Sequence, residues 1–147
     1  MPDCTHTDGL TLAPKKLCAL FLRPRKAIEL LPPEAGLEFF DGPDELTLGC
    51  DFTLRSSRAG LPQKLVHRVE SLEPPLRLVT IQVRGPFRAY RLEQVFVPIE
   101  TGTRLVETIA FTPPGGVLGL LPTEAQIREE FTALYHLRRL AFAQRGW

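Results

Sequence analysis

The chain has 147 residues, 44% of them hydrophobic and 24% charged. Leu, Ile, Val and Phe make up about 31%, which excludes wholesale disorder and fits one domain over residues 1–147 that buries roughly two-thirds of its unfolded surface. Basic residues number 18 and acidic ones 17, a net charge of +1, so the charge balance points to no nucleic-acid partner and no acidic-lipid surface.

The three cysteines, Cys4, Cys18 and Cys50, are odd in number and widely spaced. Without a CxxC pair they read as free thiols of a reducing compartment. Residues 1–8 hold two acids and no apolar run, unlike a signal peptide. The longest hydrophobic stretch, residues 17–22, is six residues long, far short of a membrane span. A cytoplasmic protein is expected. The histidines form no HxH or HExxH pattern, and neither GxSxG nor a Gly-rich phosphate loop occurs, so no metal and no other cofactor is expected.

The polar opening, residues 1–8, reads as a short edge strand or a loose tail. Helical signals begin at Ala13: Pro14 suits a first helical turn, and Leu17, Leu20 and Phe21 recur at helical spacing. Pro24 interrupts, and a second short helix over residues 25–31 stops before Pro32 and Pro33. After Gly36 the texture turns to strands. Residues 37–40 precede the turn Asp41-Gly42-Pro43-Asp44. Residues 46–55 alternate, with Leu48, Cys50, Phe52 and Leu54 on one face. Gly60-Leu61-Pro62 is a turn, and residues 63–72 set Leu65, His67 and Val69 against Lys64, Arg68 and Glu70. Pro74-Pro75 turns the chain again. Residues 77–84 form a strand ended by Gly85-Pro86, and residues 89–99 and 103–111 form a hairpin around Glu100-Thr101-Gly102. Such short turns favour antiparallel neighbours.

Pro113-Pro114-Gly115-Gly116 breaks the sheet. The Gly pair reads as a flexible portal segment, and Val117, Leu118, Leu120 and Leu121 either touch a membrane, gate the pocket or pack under the end of the last helix. Thr123-Glu124-Ala125-Gln126 reads as a capping box that opens a helix to about Gln144. Ile127, Phe131, Leu134, Tyr135, Ala141 and Phe142 share one face of it. Arg138 lies in the middle of that face, while Glu129, Glu130 and Arg139 lie outside it. The expected class is α+β: an antiparallel sheet of about six strands with one long helix along its face and a cavity between them.

Val83-Arg84-Gly85-Pro86-Phe87, followed by Tyr90-Arg91-Leu92-Glu93-Gln94-Val95-Phe96, resembles a motif of the SRPBCC superfamily, also called START-like or Bet v 1-like. Gly102, Thr103 and Glu107 match the start of that family's next strand, and Phe111 and Pro113 its end. The Leu30-Leu31-Pro32-Pro33 stop and Arg138 late in the last helix match as well. The resemblance covers roughly residues 12–142 and is strongest to bacterial cyclase/dehydrase-like and coenzyme Q-binding-like members. Leu92 stands where many relatives carry His, and Leu65 where many carry Trp. The resemblance implies a helix-grip fold, in which a seven-stranded antiparallel sheet wraps a long C-terminal helix and two short helices close one end. It also implies a deep apolar pocket for lipids, polyketides, quinones or similar molecules.

Alternation directs Leu65, His67 and Val69; Leu78, Thr80 and Gln82; Tyr90, Leu92, Gln94 and Phe96; and Thr103, Leu105, Glu107, Ile109 and Phe111 inward. A few polar groups on an apolar wall are what a small-molecule site needs; a solid core would leave them unpaired at roughly 1–3 kcal/mol each. The candidate ligand-binding residues are therefore Leu65, His67, Thr80, Gln82, Tyr90, Leu92, Gln94, Phe96, Glu107, Ile109, Phe131, Tyr135 and Arg138. Glu107 and Arg138 both sit on apolar faces, and a buried charge survives when paired. A contact between them is expected, either as a strut between sheet and helix or as an anchor for a ligand's polar head. His67 is the candidate base, whereas His136 falls to the side of the helix and His6 in the polar opening. The leading expectation is a non-enzymatic carrier of a small hydrophobic molecule. The alternatives are a cyclase or dehydratase using His67, Tyr90 or Glu107, and a protein-interaction module. A homodimer is left open.

Overall fold

The structure, a computed structural model, describes residues 2–57, 63–114 and 122–147. In chain order the elements are β1 (Asp3–Leu10), α1 (Pro14–Phe21), α2 (Pro24–Glu29), a 3-10 turn (Pro33–Ala35), β2 (Leu37–Asp41), β3 (Asp51–Ser56), β4 (Gln63–Glu73), β5 (Arg77–Arg84), β6 (Ala89–Ile99), β7 (Gly102–Thr112) and α3 (Glu124–Gln144). The strands form one antiparallel sheet in the order β1-β7-β6-β5-β4-β3-β2. This is the helix-grip architecture. The Gly60-Leu61-Pro62 turn and the portal segment with Gly115, Gly116, Val117, Leu118, Leu120 and Leu121 lie outside the described residues.

Local chemistry accounts for most boundaries. Pro14 and Pro24 each occupy the first turn of a short helix. The Thr123 hydroxyl accepts from the Gln126 amide at 3.2 Å while the Gln126 side chain accepts from the Thr123 amide at 2.8 Å, a complete capping box on α3. Gly102 closes the β6–β7 hairpin at φ 145°, and a Cβ there would lie 2.1 Å from the Leu10 carbonyl oxygen, so a side chain is excluded on two counts. The β4–β5 register shifts at Val66/His67 and at Val69/Ser71, the kind of irregularity at which strands bend and twist more strongly.

Of the two readings of the polar opening, the edge strand holds: eight residues pair with β7 from Asp3↔Ala110 to Leu10↔Thr103. One strand expectation changes. The strand expected over residues 46–55 begins only at Asp51. Leu48, expected to face inward, is 66% exposed. The preceding residues form a turn, anchored where the Gly49 amide donates to the Val69 carbonyl and the Leu46 amide to that of Leu22. Leu46 is buried beside the helices, so the apparent alternation belonged to a turn folded against them.

The outer face of the sheet is charged and paired across strands, as in Arg68 with Asp51, Arg91 with Glu70 and Arg77 with Glu93. The inner face carries two apolar clusters. One gathers Leu17, Leu22, Leu54, Leu78, Phe96, Leu105 and Phe142 beneath α1 and α2. The other gathers Ile109, Phe111, Ile127 and Tyr135, with Phe87, Tyr90, Leu92 and Phe131 against them. Between the two runs a band of buried polar groups.

Candidate functional site

The polar band is built from β7, β6, β1 and α3. Glu107 on β7 is 1% exposed. Its Oε2 accepts from Arg138 Nη1 at 2.9 Å and from Gln94 Nε2 at 3.0 Å, and its Oε1 from Arg138 Nη2. The fork of the guanidinium thus meets both carboxylate oxygens, and the pairing expected of Glu107 and Arg138 is present. Burial by itself would lower the pKa of Arg138; the Glu107 carboxylate outweighs it and raises the value above the usual one. Asp8 on β1 adds a second carboxylate, with Oδ2 3.8 Å from Arg138 Nη2. The guanidinium lies over Phe21, Tyr135 and Phe142 at 5.5, 5.0 and 5.7 Å. Its buried Nε has no hydrogen-bond partner among the described residues.

Asp8 and His6 are site residues that alternation alone did not single out. Asp8 Oδ1 accepts from Arg139 Nε at 2.8 Å and its Oδ2 is 2.9 Å from His6 Nε2. The His6 ring stacks flat on Tyr135 with centroids 4.2 Å apart. On β1, His6 and Asp8 share a face with Cys4 and Leu10 that turns toward Arg138 and Arg139 of α3; with polar residues on both faces of the strand, no apolar alternation marked that face in the sequence.

Beyond the band, toward the start of α3, the inner face becomes aromatic. His67 on β4 stacks on Phe52 and meets Tyr90 of β6 edge-on, each at 5.5 Å. Tyr90 continues to Phe87 at 5.4 Å and Phe131 at 6.3 Å, and Phe131 to Phe111 at 5.5 Å. Burial pushes His67 down to about 4, so the imidazole is neutral at pH 7. Burial first, and then the Glu107 carboxylate, push the Tyr90 and Tyr135 phenols well up, so both stay protonated. No hydrogen-bond partner engages the Tyr90 hydroxyl or the His67 ring nitrogens among the described residues. Both side chains nevertheless keep part of their surface accessible.

The structure therefore sorts the predicted residues into groups. His67, Tyr90, Leu92, Ile109 and Phe131 form or back the aromatic wall, and Thr80 adjoins it as the register partner of Leu92. Gln94, Glu107, Tyr135 and Arg138 belong to the band. Phe96 and Leu65 pack in the cluster under the short helices. The amide of Gln82 clasps the turn after β5, donating to the Phe87 carbonyl at 2.6 Å and accepting from the Phe87 amide at 3.3 Å. His136 is exposed on α3. Among the described residues, no helix is long and apolar enough to cross a membrane.

No protein-family model matches the sequence, and no match was found among curated proteins. Solved structures do match. The chain is similar to protein CV1439 from Chromobacterium violaceum, with a TM-score of 0.73 at 16% identity over 97% of this chain and 95% of that one. It is similar to Ara h 8.0201, with a TM-score of 0.70 at 10% identity over 97% and 96%, and to Mll3558 from Rhizobium loti, with 0.69 at 21% over 95% and 96%. Sheet order, helix placement and these matches agree on the fold: the chain has the helix-grip architecture and shares it with these solved structures.

Proposed function

We propose that the chain binds a small, uncharged hydrophobic molecule between the sheet and the first half of α3, as a carrier rather than an enzyme. The observation that carries this reading is the pair His67 and Tyr90. They lie so deep that burial governs their ionisation, yet both keep accessible surface, as residues lining an internal space do. Aromatic rings surround them, and their polar atoms, without a hydrogen-bond partner among the described residues, are the few oriented groups that such a site needs. The ligand is uncharged because, among the described residues, the buried carboxylates of the adjoining band are already held, Glu107 by Arg138 and Gln94 and Asp8 by Arg139. A lipid, polyketide or quinone-like molecule with a ring or chain and one or two oxygens fits this lining.

The enzyme reading has less support. His67 is neutral and thus a base in waiting, but it meets Tyr90 ring to ring, and Glu107 is engaged by Arg138.

Native mass spectrometry followed by organic extraction, with displacement of a naphthalene dye, tests the proposal. A co-purified neutral molecule, or saturable dye binding weakened about ten-fold by the space-filling Phe131→Trp variant, is expected. Protein that carries no ligand and takes up no dye overturns it.

A further inference from the structure

The two short helices open alike: Pro14-Lys15-Lys16 on α1 and Pro24-Arg25-Lys26 on α2. With Arg23 they bring five cations into residues 14–29, against the single acid Glu29. This cap therefore carries a net +4 in a chain whose total is +1. Lys15, Lys16, Arg23 and Lys26 are exposed and have no ion-pair partner among the described residues, while Arg25 lies over the Phe39 ring at 4.6 Å. Neither helix has an acid in its first turn. The positive end of a helix dipole favours acids there and disfavours cations. Helix stability thus does not account for the lysines, which stand exposed where an anionic surface can reach them.

Beside the cations lies a cleft of about 360 Å³ lined by Leu20, Lys26, Glu29, Leu30, Arg145 and Trp147. The indole of Trp147 packs edge-on against Phe142 at 5.4 Å, with the Arg145 guanidinium 5.6 Å from its ring. The Thr11 hydroxyl donates to the Gly146 carbonyl at 2.9 Å and holds this segment in place. An apolar floor with an indole at its rim, set among unpaired lysines, is the composition of a surface that sits in a lipid headgroup layer. A nucleic acid would meet the charges but leave the apolar floor without a partner.

We infer that the α1–α2 cap docks on bilayers containing anionic phospholipid, with Lys15, Lys16, Arg23 and Lys26 against the headgroups and Trp147 with Leu20 at the acyl boundary. The inference is independent of what the inner wall binds.

Trp147 is the only tryptophan in the chain, so its emission reports on this surface alone. Vesicles of phosphatidylcholine, and of phosphatidylcholine mixed with phosphatidylserine, are compared by flotation and Trp emission. Flotation and a blue shift are expected with the mixed vesicles, weakening as salt rises. The variant Lys15→Glu/Lys16→Glu is expected to lower partitioning roughly five-fold or more per residue. The same variant should raise the melting temperature, because it places acids in the first turn of α1. Opposite signs in the two readouts separate docking from a folding defect. The inference is overturned by equal binding to both vesicle types, by no binding to mixed vesicles at low salt, or by partitioning unchanged in the variant. Duplex DNA bound as tightly as the mixed vesicles would reassign the surface to nucleic acid.

Discussion

Arg138 is the residue on which the inner face turns. It joins α3 to β7 through Glu107 and stands 3.8 Å from Asp8. Replacing it with Met leaves Glu107 buried without its cation, while Asp8 keeps Arg139, so a loss of about 3–5 kcal/mol is expected in urea unfolding. The double variant Glu107→Leu/Arg138→Met removes both charges and should recover most of that loss, since a buried ion pair rarely outweighs a packed apolar one. Recovered stability with intact ligand binding identifies a strut, and recovered stability with lost binding identifies an anchor. His67 yields a second prediction. Its folded pKa of about 4 lies below the unfolded value of about 6.5, so the unfolded chain takes up the proton first. Stability is complete above about pH 6.5 and falls by up to about 3 kcal/mol as the pH drops to about 4. His67→Phe, which keeps a ring between Phe52 and Tyr90, should remove that part of the slope. Equal slopes in both proteins would show that His67 is protonated as easily when folded as when unfolded. The Glu107–Arg138 pair was legible in the sequence because each charge interrupts an apolar periodicity. His6 and Asp8 were not, because a polar strand shows no inward face until its partner helix supplies arginines.

At the scale of elements, the ends of α3 and the edges of the sheet carry the local logic. Thr123 makes a complete capping box with Gln126. Thr123→Ala should cost about 1 kcal/mol, read as a lower melting temperature with unchanged secondary structure; a larger loss would mean that the cap also positions the segment before it. The strands from β4 to β7 could be read almost to the residue, because turn residues bracket runs of clean alternation. The segment before β3 could not. Its apolar spacing suited a strand equally well, and only the seat of Leu46 beside Leu22 distinguishes a turn from an extended chain. Gln82 likewise sits on the inner face by register but is engaged by the Phe87 backbone, a contact that depends on how the β5–β6 turn folds back.

For the molecule as a whole, the polar band divides the inner face into a tightly packed end and a more accessible one. Leu105 under the short helices is 0% exposed, whereas Leu92 on the aromatic wall keeps accessible surface. Leu105→Ala should therefore cost about 3 kcal/mol and Leu92→Ala about half that or less, measured by urea unfolding. Equal losses would mean that the wall is packed as solidly as the cap and leaves no room for a ligand. Sequence by itself determined the α+β class, the elements other than the turn before β3, and the apolar character of the inner face, because propensity, periodicity and turn chemistry are local. It also carried the Glu107–Arg138 pair, because a charge on an apolar face needs a partner wherever the chain finds one. Only the tertiary structure decided which inward residues share a space, that Phe96 and Leu65 serve the cap while His67 and Tyr90 serve the wall, and that β1 completes the band. Those assignments depend on strand register, sheet curvature and the seat of α3, which bring together groups up to about 130 residues apart, as in Asp8 and Arg139.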